Sequence, residues 1–145
     1  MANRIRVVAL AICQAGDRIL VERGYDSVRD HHFYRAIGGG TEFGERAEAA
    51  VTREWQEELG LTLEAPTLLG VLENLFTLEG RAGHEVIFVF AARVSDPRAH
   101  GRDEIEAIDT DGARHVAGWV SLAELRAGST PLYPGGLFEL AAPAR

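Results

Sequence analysis

Residues 38–61 read GGGTEFGERAEAAVTREWQEELGL, and this stretch decides the fold. The segment from Arg46 to Leu59 contains no glycine or proline and is rich in alanine, glutamate and arginine, which predicts one long helix. Gly60 follows at the position where helices commonly end on glycine. Apolar side chains recur every four residues and predict the buried stripe of this helix: Val51, Trp55 and Leu59.

Three carboxylates share one face of the predicted helix, beside its buried stripe. With about 100° between successive residues, Glu57 falls about −60° and Glu58 about +40° from Glu54. Glu54 and Glu58 repel each other across one turn, and Arg53 is the only nearby cation on the helix. A hard divalent cation such as Mg²⁺ or Mn²⁺ would neutralise this cluster. A solvated acidic face is the alternative.

The glycine run at residues 38–40 lies just before this helix. It is expected to end a short strand over Phe33 to Ile37 and to let the backbone approach a neighbouring group closely. Backbone carbonyls and amides would then converge where the helix carboxylates point. An ordinary flexible turn is the alternative for these glycines.

The remaining pattern predicts strands on both sides of the helix. Two apolar runs, Val7 to Cys13 and Ile19 to Val21, form a predicted hairpin around Gly16-Asp17, and a polar surface loop is expected from Gly24 to His32. Further elements are predicted as follows: strands Thr67 to Phe76 and Val86 to Val94 with a turn at Gly80 to Gly83, a hairpin of Ile105 to Ile108 with His115 to Val120, a helix capped by Ser121 through Leu125, and a last helix from Leu137 to Ala142. Together they indicate an α/β sandwich on a mixed sheet, in one domain over residues 1–145.

Composition excludes several classes of function. The 145 residues carry 15 basic and 22 acidic side chains, a net charge of −7, which disfavours binding of duplex nucleic acid. No lysine is present, so lysine Schiff-base and P-loop chemistry are excluded. The single cysteine, Cys13, excludes a disulfide framework and favours a reducing, cytoplasmic location. The apolar run near the N-terminus is far shorter than the roughly 18 residues of a membrane span.

The stretch resembles the Nudix box of the Nudix hydrolases. That pattern is G-x5-E-x7-R-E-U-x-E-E-x-G-U, in which U is a bulky aliphatic residue or tryptophan. Every defined position is filled at the right spacing: Gly39, Glu45, Arg53, Glu54, Trp55, Glu57, Glu58, Gly60 and Leu61. The order of strands and helices on both sides is similar to the same family, which implies an α/β/α sandwich around a mixed β-sheet.

The resemblance implies hydrolysis of the diphosphate bridge in a nucleoside diphosphate linked to another moiety, with Mg²⁺ or Mn²⁺ as the cofactor. It implies metal ligands at Glu54, Glu57, Glu58 and the carbonyl of Gly38, with Glu54 or Glu57 as the general base. Glu45 and Arg53 resemble the pair that orients the helix and its carboxylates. A plain structural ion pair is the alternative for these two residues.

Candidates outside the box have a weaker basis. Arg35, and after it Arg23, are candidates for contact with the diphosphate, and Glu85 and Glu104 are candidates for an extra ligand or base. Asp103 and Glu106 are weaker candidates of the same kind, whereas His31 and His32 are candidates for contact with the base or the sugar of a nucleotide. Aromatic side chains that could stack on a base are Tyr25, Phe33, Tyr34 and Phe76, although packing is the simpler role for each. Phe43 is expected to contact the core.

Two other functions remain open at this point. A binding module that senses a nucleotide or ADP-ribose would be free to lose Glu54, Glu57 or Glu58, and all three are present. Isomerisation of a prenyl diphosphate calls for a catalytic cysteine, whereas Cys13 lies deep in an apolar run. The sequence identifies neither the nucleotide substrate nor the oligomeric state, so a homodimer is left open.

Overall fold

A computed structural model describes residues 3–109 and 111–141 of the chain. In chain order, the elements are β1 (Arg6–Ala15), β2 (Arg18–Asp26), β3 (His31–Arg35), β4 (Ile37–Gly40), α1 (Ala47–Leu59), β5 (Glu64–Leu78), β6 (Arg81–Arg93), α2 (Pro97–His100), β7 (Glu104–Ile108), β8 (Arg114–Ser121), α3 (Leu122–Ala127), β9 (Leu132–Tyr133) and α4 (Leu137–Ala141). Ala142, the last residue of the predicted C-terminal helix, and Thr110, between the two strands of the predicted hairpin, lie outside the described residues.

Strand β1 is the centre of the sheet. It pairs in parallel with β6 on one side and antiparallel with β4 on the other, so that Ala9 is the partner of both Phe88 and Gly39. At its C-terminal end β1 forms the predicted hairpin with β2. Strand β2 in turn pairs with β3 and with β8. The described strands form one nine-stranded sheet with both parallel and antiparallel pairs. The predicted α/β fold with a mixed sheet is therefore confirmed.

The core lies on both faces of this sheet. Odd-numbered residues of β1 pack with Val51 and Trp55 of α1, and even-numbered residues pack with Leu125 of α3 and Leu137 of α4. This division follows from the alternation of side chains along a strand. Because both faces of β1 are covered, its sequence is a continuous apolar run rather than an alternating one.

Three predictions near the box are wrong in detail. The loop expected at residues 24–32 is shorter, since β2 continues to Asp26 and pairs there with His31. The longer strand can pair with β3 because Gly24 has no side chain, which leaves space for the ring of Phe33. The predicted strand at 33–37 is divided at Ala36, and the three glycines do not end it: they form β4 and pair with β1. The alternative of a flexible glycine turn is thus also wrong.

Other differences concern short or exposed segments. The turn between β5 and β6 is confined to residues 79–80, and Gly83 lies within β6 beneath the ring of Phe76. Helix α2 and strand β9 have no counterpart in the sequence prediction. Phe43 is fully exposed in the loop before α1, so its predicted contact with the core is wrong. Among the described residues, no helix is long and apolar enough to cross a membrane.

Candidate active site

Helix α1 is fixed on the sheet by its cap and by one buried hydrogen bond. Gly60 ends the helix in the left-handed conformation, and its N–H donates to the Gln56 carbonyl at 3.0 Å. The fully buried Trp55 donates its indole N–H to the carbonyl of Ile37 at 2.9 Å. This contact joins the helix to the first residue of β4, and Glu54 is positioned directly against the glycine strand.

The glycines of β4 are required because neighbouring atoms fill the space beside them. A Cβ at Gly39 would lie 2.4 Å from the carboxyl carbon of Glu54, and a Cβ at Gly38 would lie 2.0 Å from the carbonyl oxygen of Ala9. Any larger side chain at these positions would therefore displace either the carboxylate or strand β1. The glycine strand places backbone next to the Glu54 carboxylate, as the sequence predicts.

Arg53 gathers the carboxylates on one side of the helix. Its guanidinium donates to both oxygens of Glu45, from Nε and from Nη2, at 2.9 Å each. Nη1 donates to Glu54 at 2.9 Å and to Glu57 at 3.3 Å, and Nη2 also donates to the Gly40 carbonyl at 3.1 Å. One cation thus orients three carboxylates and the end of β4.

These bonds shift the ionisation of both members of the Glu45–Arg53 pair. Hydrogen bonds from Arg53, and then the backbone N–H of Glu42, lower the pKa of Glu45 to about 2. The same pair raises the pKa of Arg53 above its usual value, with a further contribution from Glu54. Both groups are fully charged at neutral pH, and the pair joins the loop before α1 to the helix.

Glu58 has the opposite surroundings. The residue is 9% exposed, and its Oε2 is buried without a hydrogen-bond partner among the described residues. Burial, and then repulsion from Glu22 and Glu54, raises the pKa of Glu58 to about 8. Asp109 adds to this repulsion, and Arg35 partly offsets it. Glu58 is therefore a buried carboxylate in a strongly negative environment.

Glu22 and Asp109 belong to this environment, and the sequence analysis did not identify them. Glu22 is 4% exposed and lies on the α1 side of β2, and its Oε1 is 3.6 Å from Nη2 of Arg35. A signal was available for Glu22. It continues the alternation of Leu20, which faces α1, and so it places a charge in the buried register of a strand. Asp109 follows β7, and nothing in its local sequence singles it out.

The other predicted residues lie in different places. Arg35 reaches the site through Glu22, as described above. Arg23 is exposed and pairs with Glu104 at 2.8 Å, and it points to the opposite face of β2 from Glu22. Glu85 pairs with Arg6 at 3.2 Å on the face of β1 turned away from α1. Arg23, Glu85 and Glu104 are thus engaged in ion pairs outside the box cluster.

Cys13, His31 and His32 have no described contact with the box carboxylates. Cys13 is buried in the core beneath α1, and burial raises the pKa of its thiol to about 11. His31 lies near Tyr133, with His31 Nε2 3.3 Å from the Tyr133 hydroxyl, and His32 contacts the ring of Tyr25. Neither histidine is brought to the box carboxylates by a described contact.

The donor set fits a hard divalent cation. Glu54 and Glu58 are buried carboxylates, Oε2 of Glu58 has no hydrogen-bond partner in the described part of the chain, and the Gly39 backbone lies against Glu54. Within residues 3–109 and 111–141, the side chains of His, Cys, Asp and Glu do not form a ready-made group of three or more around one point. Glu57 accepts a bond from Arg53 and is the most exposed of the three box glutamates.

Comparison with known proteins agrees with this geometry. A family model described as the NUDIX domain matches residues 2–137. Among solved structures, a MutT NUDIX hydrolase from Burkholderia pseudomallei is 29% identical, with a TM-score of 0.70, and the match covers 98% of this chain and 100% of that chain. The E. coli ORF135 protein is 25% identical, with a TM-score of 0.61 and coverage of 97% and 89%. A MutT protein from Bacillus halodurans, 24% identical with a TM-score of 0.63 and coverage of 94% and 83%, is similar in fold.

The chain belongs to the NUDIX family, since the family model covers nearly its whole length. It is a Nudix pyrophosphohydrolase, an enzyme that acts on nucleoside diphosphate compounds, and its relatives generally use a divalent metal. The predicted family and reaction class are therefore confirmed. The assignment of individual site residues stays a prediction.

Proposed function

We propose that this enzyme hydrolyses the diphosphate bridge of a nucleoside diphosphate linked to another moiety, and that it depends on Mg²⁺ or Mn²⁺. One observation carries the metal dependence. The Glu58 carboxylate is buried next to Glu22 and Glu54, and one of its oxygens has no partner within residues 3–109 and 111–141. Burial makes the ionised form of this carboxyl group costly, and a bound cation would offset that cost.

The cation would be held by Glu54, Glu57, Glu58 and the carbonyl of Gly38. When bound there, it would neutralise phosphate oxygens of the substrate and lower the pKa of a water molecule. The acidic surroundings and the net charge of −7 make such a cation necessary, because they would otherwise repel a diphosphate.

The protein's own groups then have separate tasks. Arg53 and Glu45 position the carboxylates through the bonds described above. Arg35 is held by Glu22 beside the buried carboxylates and would donate to a phosphate oxygen. Glu54 or Glu57 would accept the proton of the attacking water. Arg53 bonds to both, so either carboxylate is held in place.

A screen of purified protein, with the phosphomonoester or pyrophosphate products separated by chromatography, tests this function. The substrates are ADP-ribose, dinucleoside polyphosphates, oxidised nucleoside triphosphates, nucleotide sugars and coenzyme A, each with Mg²⁺, with Mn²⁺ or with EDTA. We expect cleavage of at least one compound with metal and none with EDTA. Tight binding without turnover of any compound would instead favour a sensor.

Single substitutions test whether Glu54 and Glu58 take part in catalysis. Glu54→Gln and Glu58→Gln should each lower kcat by on the order of a hundredfold or more. Glu48→Gln is the matched control, because Glu48 is exposed in the first turn of the same helix and outside the carboxylate cluster. Wild-type turnover in the first two variants would remove these residues from the mechanism.

A further inference from the structure

One face of strands β2, β3 and β9 continues from the carboxylate site toward the ends of β2 and β3. Glu22 and Arg35 are partners in the β2–β3 ladder, and Arg35 is also the partner of Tyr133 in β9. Partners in neighbouring strands place their side chains on the same face of a sheet. Tyr133 therefore lies on the face that carries Arg35 and Glu22, next to the place where we expect the diphosphate to bind.

The ring of Tyr133 is exposed on one side and supported on the other. Tyr133 is 38% exposed, and its ring centre lies 5.3 Å from that of Phe33. Phe33 is 4% exposed, and its ring fills the space beside Gly24. His31 follows on the same face, with its ring centre 6.3 Å from that of Tyr133. We call Phe33, Tyr133 and His31 the aromatic strip, and a supported aromatic ring of this kind suits stacking of a planar base.

The aromatic strip ends at a hydrogen-bonded contact between two turns. Asp26 and His31 form the last pair of the β2–β3 ladder. Directly after it, Ser27 donates its backbone N–H to Oε1 of Glu79 at 2.8 Å, and its hydroxyl group donates to Oε2 of Glu79. The buried carboxylate of Asp26 interacts with the backbone N–H of Glu79. We call Asp26, Ser27 and Glu79 the turn clasp. It joins the β2–β3 turn to the β5–β6 turn, and these two hairpins lie on opposite sides of β1.

The length of the strip follows from the strands. Glu22 lies beside Arg35, and Asp26 belongs to the turn clasp, four residues further along β2. At the usual rise of a strand this separation is about 13 Å. That length suits a single nucleoside that extends from a diphosphate beside Arg35. A second nucleoside joined to the first would have to pass the turn clasp.

We propose that the aromatic strip binds the nucleoside half of the substrate, with the base stacked on Tyr133, and that the turn clasp ends this subsite. The proposal rests on the function proposed above, because it places the diphosphate beside Arg35. It names the substrate class as compounds in which the diphosphate is attached to a single nucleoside. The 5′ end of a nucleotide chain, in which a second nucleoside follows the first, is excluded.

Binding of nucleotides and of a base-free sugar phosphate tests the stacking. The probes are the 5′-monophosphates of adenosine, guanosine, cytidine and uridine, together with ribose 5-phosphate, and calorimetric titration in Mg²⁺ measures their Kd. Tyr133→Ala should raise the Kd of the nucleotide that the wild type binds most tightly by roughly tenfold to a hundredfold. The Kd of ribose 5-phosphate should not change, and Tyr133→Phe should bind like the wild type. Tyr25→Ala is the matched control, because Tyr25 is 44% exposed and lies on the opposite face of β2.

These measurements separate the subsite from the reaction. Tyr133→Leu keeps an apolar contact with Phe33 and replaces Tyr133→Ala if that variant does not fold, as judged by its Tm. A wild type that binds no nucleotide more tightly than ribose 5-phosphate would overturn the subsite, and so would an equal loss of binding in Tyr25→Ala. Nucleotide binding that depends on Tyr133, without hydrolysis of any compound, would support the subsite and refute the proposed function. Hydrolysis with an unchanged KM in Tyr133→Ala would refute the subsite alone.

A 5′-phosphorylated dinucleotide tests the turn clasp. The wild type should bind it about tenfold or more weakly than the matching mononucleotide, and Glu79→Ala should reduce this difference. Ser27→Ala, which removes the hydroxyl bond, is the second variant if Glu79→Ala does not fold. Glu73→Ala is the matched control, because Glu73 is exposed on the same strand and lies outside the turn clasp. Equal affinity of the wild type for the two nucleotides, or an equal effect of Glu73→Ala, would show that the turn clasp does not end the subsite.

Discussion

The two sides of the carboxylate face of α1 differ in how their charge is balanced. On one side, Arg53 bonds to Glu45, Glu54 and Glu57 and fixes all three. On the other side, Glu58 lies next to Glu22, one of its oxygens is unpaired among the described residues, and Arg35 offsets part of the repulsion. Arg53 therefore has a structural role, because it holds three carboxylates in place. The surroundings of Glu58, in contrast, still lack positive charge. That second region is where we expect metal and diphosphate to bind.

The largest effect that would sharpen this comparison is expected at Arg35. Loss of a charge-assisted bond to phosphate costs about 1.5–3 kcal/mol, so Arg35→Ala should raise KM roughly tenfold to a hundredfold. The metal concentration needed for activity should not change. Arg23→Ala is the control on the same pair of strands, because Arg23 points to the opposite face and pairs with Glu104. Equal kinetic constants for the two variants would show that other groups hold the diphosphate.

A smaller effect, on stability, should distinguish Arg53 from Glu58. Arg53→Ala leaves Glu45 and Glu54 without their partner and should cost about 2 kcal/mol, or a fall in Tm on the order of 5 °C. Burial raises the pKa of Glu58 to about 8, so this carboxyl is mostly protonated in the metal-free protein at neutral pH. Glu58→Gln then exchanges one neutral group for another, and the Tm of the metal-free protein should be unchanged or higher. Thermal unfolding in EDTA measures both. A fall in Tm for Glu58→Gln as large as that for Arg53→Ala would refute the contrast.

The smallest effect concerns the pH dependence of the arginine side. Because Arg53 lowers the pKa of Glu45 from 4.5 to about 2, the ionised carboxylate contributes stability that is fully present above pH 4.5. This contribution is lost as pH falls from 4.5 through about 2, so the Tm difference between wild type and Glu45→Gln should shrink over that range. In an Arg53→Ala background the pH-dependent part of the difference should disappear. If it persists there, another group stabilises the Glu45 carboxylate.

The local sequence was sufficient to predict the ends of helix α1 but not the ends of the strands. Helix α1 was predicted from residue 46 to 59 and spans Ala47–Leu59, because helix propensity and the glycine stop act within a few residues. Strand ends depend on partners far away in the chain. The extension of β2 to Asp26 follows from its pairing with His31, and the glycines of β4 are held by β1. Polar and glycine-rich sequence alone predicts a loop at both places.

The same distinction applies to the site. The spacing of the box brought Glu45, Arg53 and Glu54 together as predicted, since all three lie on or just before one helix. Glu22 and Asp109 reach Glu58 only through sheet pairing and the packing of α1, which no local pattern encodes. Phe43 was expected to contact the core, yet it lies in the loop before α1 and is fully exposed to solvent.

The bond between the Trp55 indole and the Ile37 carbonyl also determines how this enzyme can adapt. It makes α1 and β4 one mechanical unit, enclosed in the core, and Glu54 and Gly39 both belong to that unit. Rotating or sliding the helix would leave a buried N–H and a buried carbonyl without partners, which makes a hinge at this position unfavourable. Substrates of different size must therefore be accommodated by the surrounding strands and loops. These segments can diverge in sequence while the distance between Glu54 and Gly39 stays the same.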